Sequence, residues 1–161
     1  MRIKKFLKDG NKMQLSQKET MLLSDMKSQE KLCIEKYSKN AQAANDVQLK
    51  NLFSELGEVE RKHLTMLSDI GNGKVPTVSS GTGMARTFSA TYSAESNEKT
   101  QDCFLCNDLL AIEKHASSVY DTCIFEFTDA GVRNVLNHIQ KEEQNHGKAI
   151  YDYMKVNGMY S

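Results

Sequence analysis

Apolar residues return at three-, four- and seven-residue steps through two stretches of the first half of the chain. In the first stretch Leu23, Met26, Cys33, Ile34, Tyr37, Ala41 and Ala44 fall on one helical face. In the second, Leu49, Leu52, Phe53, Leu56, Leu64, Leu67 and Ile70 do the same. Ser16-Gln17-Lys18-Glu19 is a capping box, so the first helix is expected to start at Ser16. Asn45-Asp46 supplies a turn and an N-cap between the two helices. The inward faces are not wholly apolar. Glu30 lies on the first, and Glu60 and His63 lie on the second.

The second half repeats this pattern at a constant offset of 83 positions. Glu113, Glu143 and His146 correspond to Glu30, Glu60 and His63, and Thr128-Asp129 stands where Asn45-Asp46 stood. Asp25/Asp108, Lys31/Lys114, Tyr37/Tyr120, Asn51/Asn134 and Asp69/Asp152 also coincide. In each half a lone glutamate precedes a Glu-x-x-His motif by 30 residues, with the turn at the midpoint. At about 1.5 Å rise per residue both glutamates lie roughly 22 Å from the hairpin tip, so they sit side by side on antiparallel helices.

This pattern predicts an all-α, four-helix bundle built from two duplicated helical hairpins, in one domain over 1–161. Its parts are an N-terminal tail (1–15), a first hairpin (16–70), a crossover (71–97), a second hairpin (98–155) and a C-terminal tail (156–161). The crossover is rich in Gly, Ser and Thr, contains Pro76, and is far longer than an ordinary helix–helix turn. Hairpins packed with their tips at opposite ends make helices 2 and 3 parallel, and a connection must then travel the length of the bundle. The alternative is a flexible linker between separate hairpins, but an isolated hairpin cannot cover its own apolar face.

Lys plus Arg equals Asp plus Glu, at 21 each. No overall field favours nucleic acid or anionic lipid, and neither is expected as a partner. The basic opening, Met1 to Lys8, is followed by polar residues rather than an apolar run, so neither a secretory signal nor a membrane span is expected. The four cysteines read as reduced thiols of a cytoplasmic protein.

Glu-x-x-His places a carboxylate and an imidazole on adjacent positions of one helical face. A single instance is usually a solvated surface pair. Two instances, each with an inward glutamate and related by one offset, point to metal. Four unpaired glutamates inside a bundle would each cost several kcal/mol to desolvate. Two divalent ions would neutralise them. The oxygen-rich ligand set with two imidazoles suits iron or manganese, and the expected ligands are Glu30, Glu60, His63, Glu113, Glu143 and His146. Without metal the carboxylates are expected to take up protons.

Tyr37 and Tyr120 are candidates for hydrogen bonds to the ligand carboxylates, with ordinary core aromatics as the alternative. Glu142 precedes Glu143 and could orient a ligand histidine across the bundle, as its counterpart Val59 could not, but it is expected at the exposed surface. Cys103 and Cys106 form a lone C-x-x-C near the start of the third helix, where the dipole would favour thiolate and redox use. The alternative is a core role for Cys106, Cys33 and Cys123. His115 and His138 have no symmetric histidine counterpart and are read as non-ligands.

The repeated lone-Glu then Glu-x-x-His order, over residues 16–155, resembles the ferritin-like superfamily, the rubrerythrin and bacterioferritin branches in particular. The resemblance implies two ions at the centre of the bundle, with oxygen or peroxide as co-reactant. No second C-x-x-C is present to form a rubredoxin-type iron centre. Electrons for any peroxidase chemistry would therefore come from an external donor. Over 104–160 the chain is similar to the spore coat protein F family, through Val132-Arg133-Asn134-Val135-Leu136, His146 and the ending Tyr151-Asp152-Tyr153-Met154-Lys155-Val156-Asn157-Gly158-Met159-Tyr160. That resemblance implies a place in the spore coat, other coat proteins as partners, and an alternative role in structural assembly. A homodimer is the remaining partner expectation.

Overall fold

The computed structural model describes residues 13–79 and 85–160. The basic opening segment read from the sequence lies outside them. Four helices are present: α1 (Gln17–Ala43), α2 (Val47–Gly71), α3 (Asn97–Glu126) and α4 (Ala130–Val156). Each begins at a side-chain cap that satisfies an otherwise orphaned backbone N–H. Ser16 and Glu19 form the reciprocal capping box of α1. Asp46 caps α2, Ser96 caps α3 and Asp129 caps α4. Helices α2 and α4 end where Gly73 and Gly158 take positive φ, and the N–H groups of Lys74 and Met159 turn back onto the carbonyls of Asp69 and Met154.

Side-chain pairs give the directions of the helices. Lys36 and Asn40 of α1 meet Asp108 of α3, whereas Lys18 near the start of α1 meets Glu126 at the end of α3. Helices α1 and α3 are therefore antiparallel, and with α1/α2 and α3/α4 hairpins this makes α2 and α3 parallel. The tips of the hairpins lie at opposite ends. Each tip is pinned by a carboxylate from the start of the other hairpin. Asp102, fully buried, accepts from the backbone N–H groups of Asn45 (2.8 Å) and Asp46 (2.9 Å). Glu19, at the position 83 residues earlier, accepts from the N–H of Thr128 at 3.0 Å. The two pins stand at equivalent positions of the repeat, but no residue identity signals them, since one is Asp and the other Glu.

The described parts of the crossover pack against the bundle. Val78 lies against the core at the Thr128 end, and Phe88 lies against the core at the Asn45 end, its ring 5.6 Å from that of Tyr153. Ser89 and Gln48 exchange hydrogen bonds, Thr91 Oγ1 donates to Asp46 at 2.6 Å, and Tyr92 donates to Asp102 at 2.7 Å. The crossover thus ends by buttressing the first hairpin tip rather than hanging as a linker.

Two apolar clusters fill the bundle. One gathers Leu52, Phe53, Leu56, Leu109, Ile150 and Tyr153 towards the Asn45 end. The other gathers Leu23, Met26, Leu67, Phe127, Val135 and Ile139 towards the Thr128 end. Between them lies a polar layer. Ile34, Ala41 and Leu64, expected to point inward, are only partly buried and sit at the shoulders of the apolar stripe.

Candidate metal centre

The polar layer consists of Glu30 from α1, Glu60 and His63 from α2, Glu113 from α3, and Glu143 and His146 from α4. All six are buried. Their helical steps explain why: each occupies a core position of its stripe, where the neighbours one turn away are apolar. The side chains form two groups whose ligand atoms lie within 4.8 Å of one another, Glu30, Glu60, His63 and Glu143 in one, and Glu60, Glu113, Glu143 and His146 in the other. Glu60 and Glu143 belong to both. The two overlapping clusters are consistent with a dinuclear metal site, each cluster adding one glutamate and one imidazole to the shared pair.

Both imidazoles present Nδ1 to the carboxylates. His63 Nδ1 lies 3.0 Å from Glu60 Oε2, 3.1 Å from Glu143 Oε1 and 3.9 Å from Glu30 Oε2. His146 Nδ1 lies 3.0 Å from Glu60 Oε1 and 3.4 Å from Glu113 Oε1. The rings stack at 5.8 Å between centroids. One Nδ1 has at most one hydrogen to give, and in both rings the shortest approach is to Glu60. Glu143 is left with neither oxygen hydrogen-bonded.

The tyrosines fasten the outer glutamates across the bundle. Tyr37 of α1 donates to Glu113 Oε1 of α3, and Tyr120 of α3 donates to Glu30 Oε1 of α1. The bonds cross between hairpins because α1 and α3 are antiparallel, which brings each tyrosine level with the other hairpin's glutamate. The second oxygens, Glu30 Oε2 and Glu113 Oε2, have no partner. Four buried carboxylate oxygens thus point into the layer with nothing to receive them. An orphaned buried acceptor costs about 1–3 kcal/mol, and more when charged. The donor set, four carboxylates and two imidazole Nδ1 atoms, fits two divalent cations of the iron or manganese kind, which take oxygen and imidazole ligands together.

Metal-free, protons take the place of cations. Burial, reinforced by repulsion from Glu60, pushes Glu30 up to about 9. Burial, reinforced by repulsion from the Glu113 and Glu60 carboxylates, pushes Glu143 well above the carboxylate range. Burial would raise Glu60 too, but hydrogen bonds from His146 and His63 hold it below that range. Burial opposes charge on His146, yet its carboxylate partners raise it to about 9. The expectation that an empty site takes up protons follows from the same desolvation cost.

Glu142 corrects a sequence expectation. It is half-buried, and its Oε2 lies 2.6 Å from His63 Nε2 and 3.3 Å from His138 Nε2. The hydrogen bond from His63 holds the Glu142 carboxyl below its usual range. Such a bond on Nε2 leaves Nδ1 as the coordinating nitrogen. Helices α2 and α4 pack against each other, so position 142, which is peripheral on its own helix, faces the neighbouring one. His138 touches Glu142 rather than the glutamate cluster, and His115 is exposed.

Cys103 and Cys106 lie within α3, not in its first turn, and both thiols are free. Burial pushes the Cys106 thiol above its usual range, opposite to the thiolate expected from the helix dipole. Cys33 is raised in the same sense by burial and then by the site's glutamates. Burial raises Cys123 to about 11.

With this geometry in view, the C-terminal part of the chain has a sequence counterpart. Residues 101–161 match the Coat F domain. The Coat F match covers α4 and nearly all of α3, so it holds Glu113, Glu143, His146 and Glu142. The solved structure of the bacterioferritin-related protein from Bacteroides fragilis, a dodecameric thioferritin, aligns with a TM-score of 0.50 and 16% identity, covering 85% of this chain and 86% of that one. At that identity the likeness shows the fold, a ferritin-like four-helix bundle. No curated protein matches the chain. Among the described residues, no helix is long and apolar enough to cross a membrane.

Proposed function

We propose that the chain is a dinuclear iron or manganese carboxylate protein that reacts with oxygen or peroxide, with Glu30, Glu60, His63, Glu113, Glu143 and His146 as its ligands. The supporting observation is the set of four orphaned carboxylate oxygens buried beside two imidazole Nδ1 atoms. When bound, the two ions would supply the redox chemistry and open coordination positions. The chain's own residues do the rest. Glu60 and Glu143, common to both groups, would help hold both ions, Glu30 and His63 would help hold one, and Glu113 and His146 the other. Tyr37 and Tyr120 each hold one oxygen of an outer glutamate, leaving the other free to bind. Glu142 orients His63 through Nε2. The apolar clusters above and below exclude bulk water, and an external donor returns the electrons.

Metal analysis of protein from iron- or manganese-supplemented cells is expected to find about two ions per chain, falling to one or none in Glu143→Ala. Chelation is expected to lower the melting temperature. Near-zero metal with a melting temperature indifferent to chelation overturns this reading.

The Coat F match favours a second reading, in which the bundle is an assembly unit of the spore coat and metal only stabilises it. Retention in the coat layer that is lost on removing Gly158 to Ser161 but survives Glu60→Ala supports assembly as the main role. The reverse pattern supports chemistry.

A further inference from the structure

The two hairpins differ at the level of the centre. Between α3 and α4 runs a groove of about 460 Å³, with Glu113 and Glu143 among its lining residues. Leu110, Gly147, Tyr151 and Tyr160 form its apolar part, beside Lys114 and Lys148, with Tyr160 arriving from the C-terminal segment to pack edge-on against Tyr151 at 4.8 Å between centroids. The groove between α1 and α2, about 380 Å³, is displaced towards the Asn45 end and is lined by none of the six glutamates and histidines of the layer. Exposure agrees with this difference. Glu113 retains 3%, His146 4% and Glu143 1%, while Glu30, Glu60 and His63 retain 0%.

The repeat identifies the residues responsible. Gly147 follows His146 directly, and the residue that follows His63 is Leu64, 83 positions earlier. In the same comparison Ser117 stands where Ile34 does. A leucine and an isoleucine shield the α1/α2 side, and a glycine and a serine leave the α3/α4 side open. A Cβ on Gly147 would meet Leu110 Cδ2 at 3.8 Å, an ordinary contact, but a longer side chain would have to extend into the groove. The volume also decides what enters. A water molecule occupies about 30 Å³ of liquid, and pockets of roughly 300–1,000 Å³ take organic ligands.

We propose that the α3/α4 groove is the one-sided entrance to the centre and the binding site of a small, mostly apolar molecule with a single metal-binding head. Its body lies against Leu110, Tyr151 and Tyr160, and its head reaches the Glu113 and Glu143 end. The ligand part of this proposal rests on the dinuclear reading. The entrance rests on geometry alone.

Two measurements test it. In the metal-free chain, a water-soluble carbodiimide with glycine ethyl ester, mapped by mass spectrometry, is expected to label Glu113 and Glu143 at least tenfold faster than Glu30 and Glu60. Gly147→Leu is expected to abolish that preference, and Gly147→Ala to keep it, with circular dichroism confirming that each variant is folded. If Gly147→Leu does not fold, Leu110→Phe serves in its place. Equal labelling of all four glutamates, or an unchanged preference in the folded blocking variant, overturns the entrance. In the iron(II)-loaded chain, removal by 2,2′-bipyridine is expected to speed up with chelator concentration, and to lose that dependence in Gly147→Leu. Sulfonated bathophenanthroline, too bulky for the groove, is expected to show no such dependence. A bipyridine rate independent of concentration in the unaltered chain overturns the binding site. A chain that takes up neither iron nor manganese overturns the dinuclear reading and the head-group part of this proposal together, while the labelling still decides the entrance.

Discussion

Glu142 is the residue at which the two halves of the centre cease to be equivalent. His63 has a carboxylate on Nε2, whereas the position that would serve His146 by the repeat is Val59. Outer carboxylates of this kind typically change metal affinity 10–100-fold when removed. Glu142→Gln is therefore expected to weaken one of two binding steps by about that factor and leave the other within about twofold. Calorimetric titration of manganese into the metal-free chain reads both steps, and equal weakening of the two would count against the asymmetry. Glu142 was legible as a carboxylate next to a ligand position, with a histidine across the bundle as its possible partner. What could not be read was its orientation, because a residue at the edge of a helical stripe faces solvent or a neighbouring helix according to how the helices pack.

At the scale of elements, the stability of each hairpin tip depends on the other hairpin. Asp102 accepts from two backbone N–H groups of the α1–α2 turn and from Tyr92 of the crossover. Asp102→Ala leaves these donors short of an acceptor in a buried place, and is expected to cost on the order of 2–3 kcal/mol, read as a lower urea midpoint with an unchanged slope. Asp129→Ala, which removes only a helix cap, is expected to cost about 1 kcal/mol. Equal losses in the two variants would show that the pinning contributes nothing beyond capping. The caps themselves were legible: Ser16, Asp46 and Asp129 all stand where turn chemistry and apolar periodicity meet. The pinning was not, since it joins residues 56 and 57 positions apart in a way that only the antiparallel packing of α1 on α3 brings about.

At the scale of the molecule, the polar layer makes stability depend on pH in a way that metal should reverse. Glu30 and His146 both have folded values of about 9, above their ordinary ones of 4.5 and 6.5. Groups raised on folding stabilise at low pH, and that contribution is lost as pH rises through the folded value. Glu60 and Glu142 are lowered, so their contribution appears above the ordinary carboxylate range and does not change further at neutral pH. The metal-free chain is therefore expected to melt at progressively lower temperature from about pH 6 to pH 9. Bound cations replace the protons, so the gap between metal-loaded and metal-free melting temperatures should widen over the same interval. Scanning calorimetry at several pH values measures both, and a metal-free melting temperature that rises with pH would contradict the proton-filled layer.

The sequence by itself determined the helices, the caps of three of them, the twofold repeat and the six polar residues of the inward stripes, because helical period and turn chemistry are local and were stated twice at one offset. It also required a crossover long enough to run the bundle. Tertiary structure alone decided that Tyr37 and Tyr120 bond across hairpins, that Glu142 turns inward to His63, that burial raises the Cys106 thiol, and that one side of the centre is open. Each of these depends on which helix lies beside which and how closely, a property of packing that no single stretch of chain encodes.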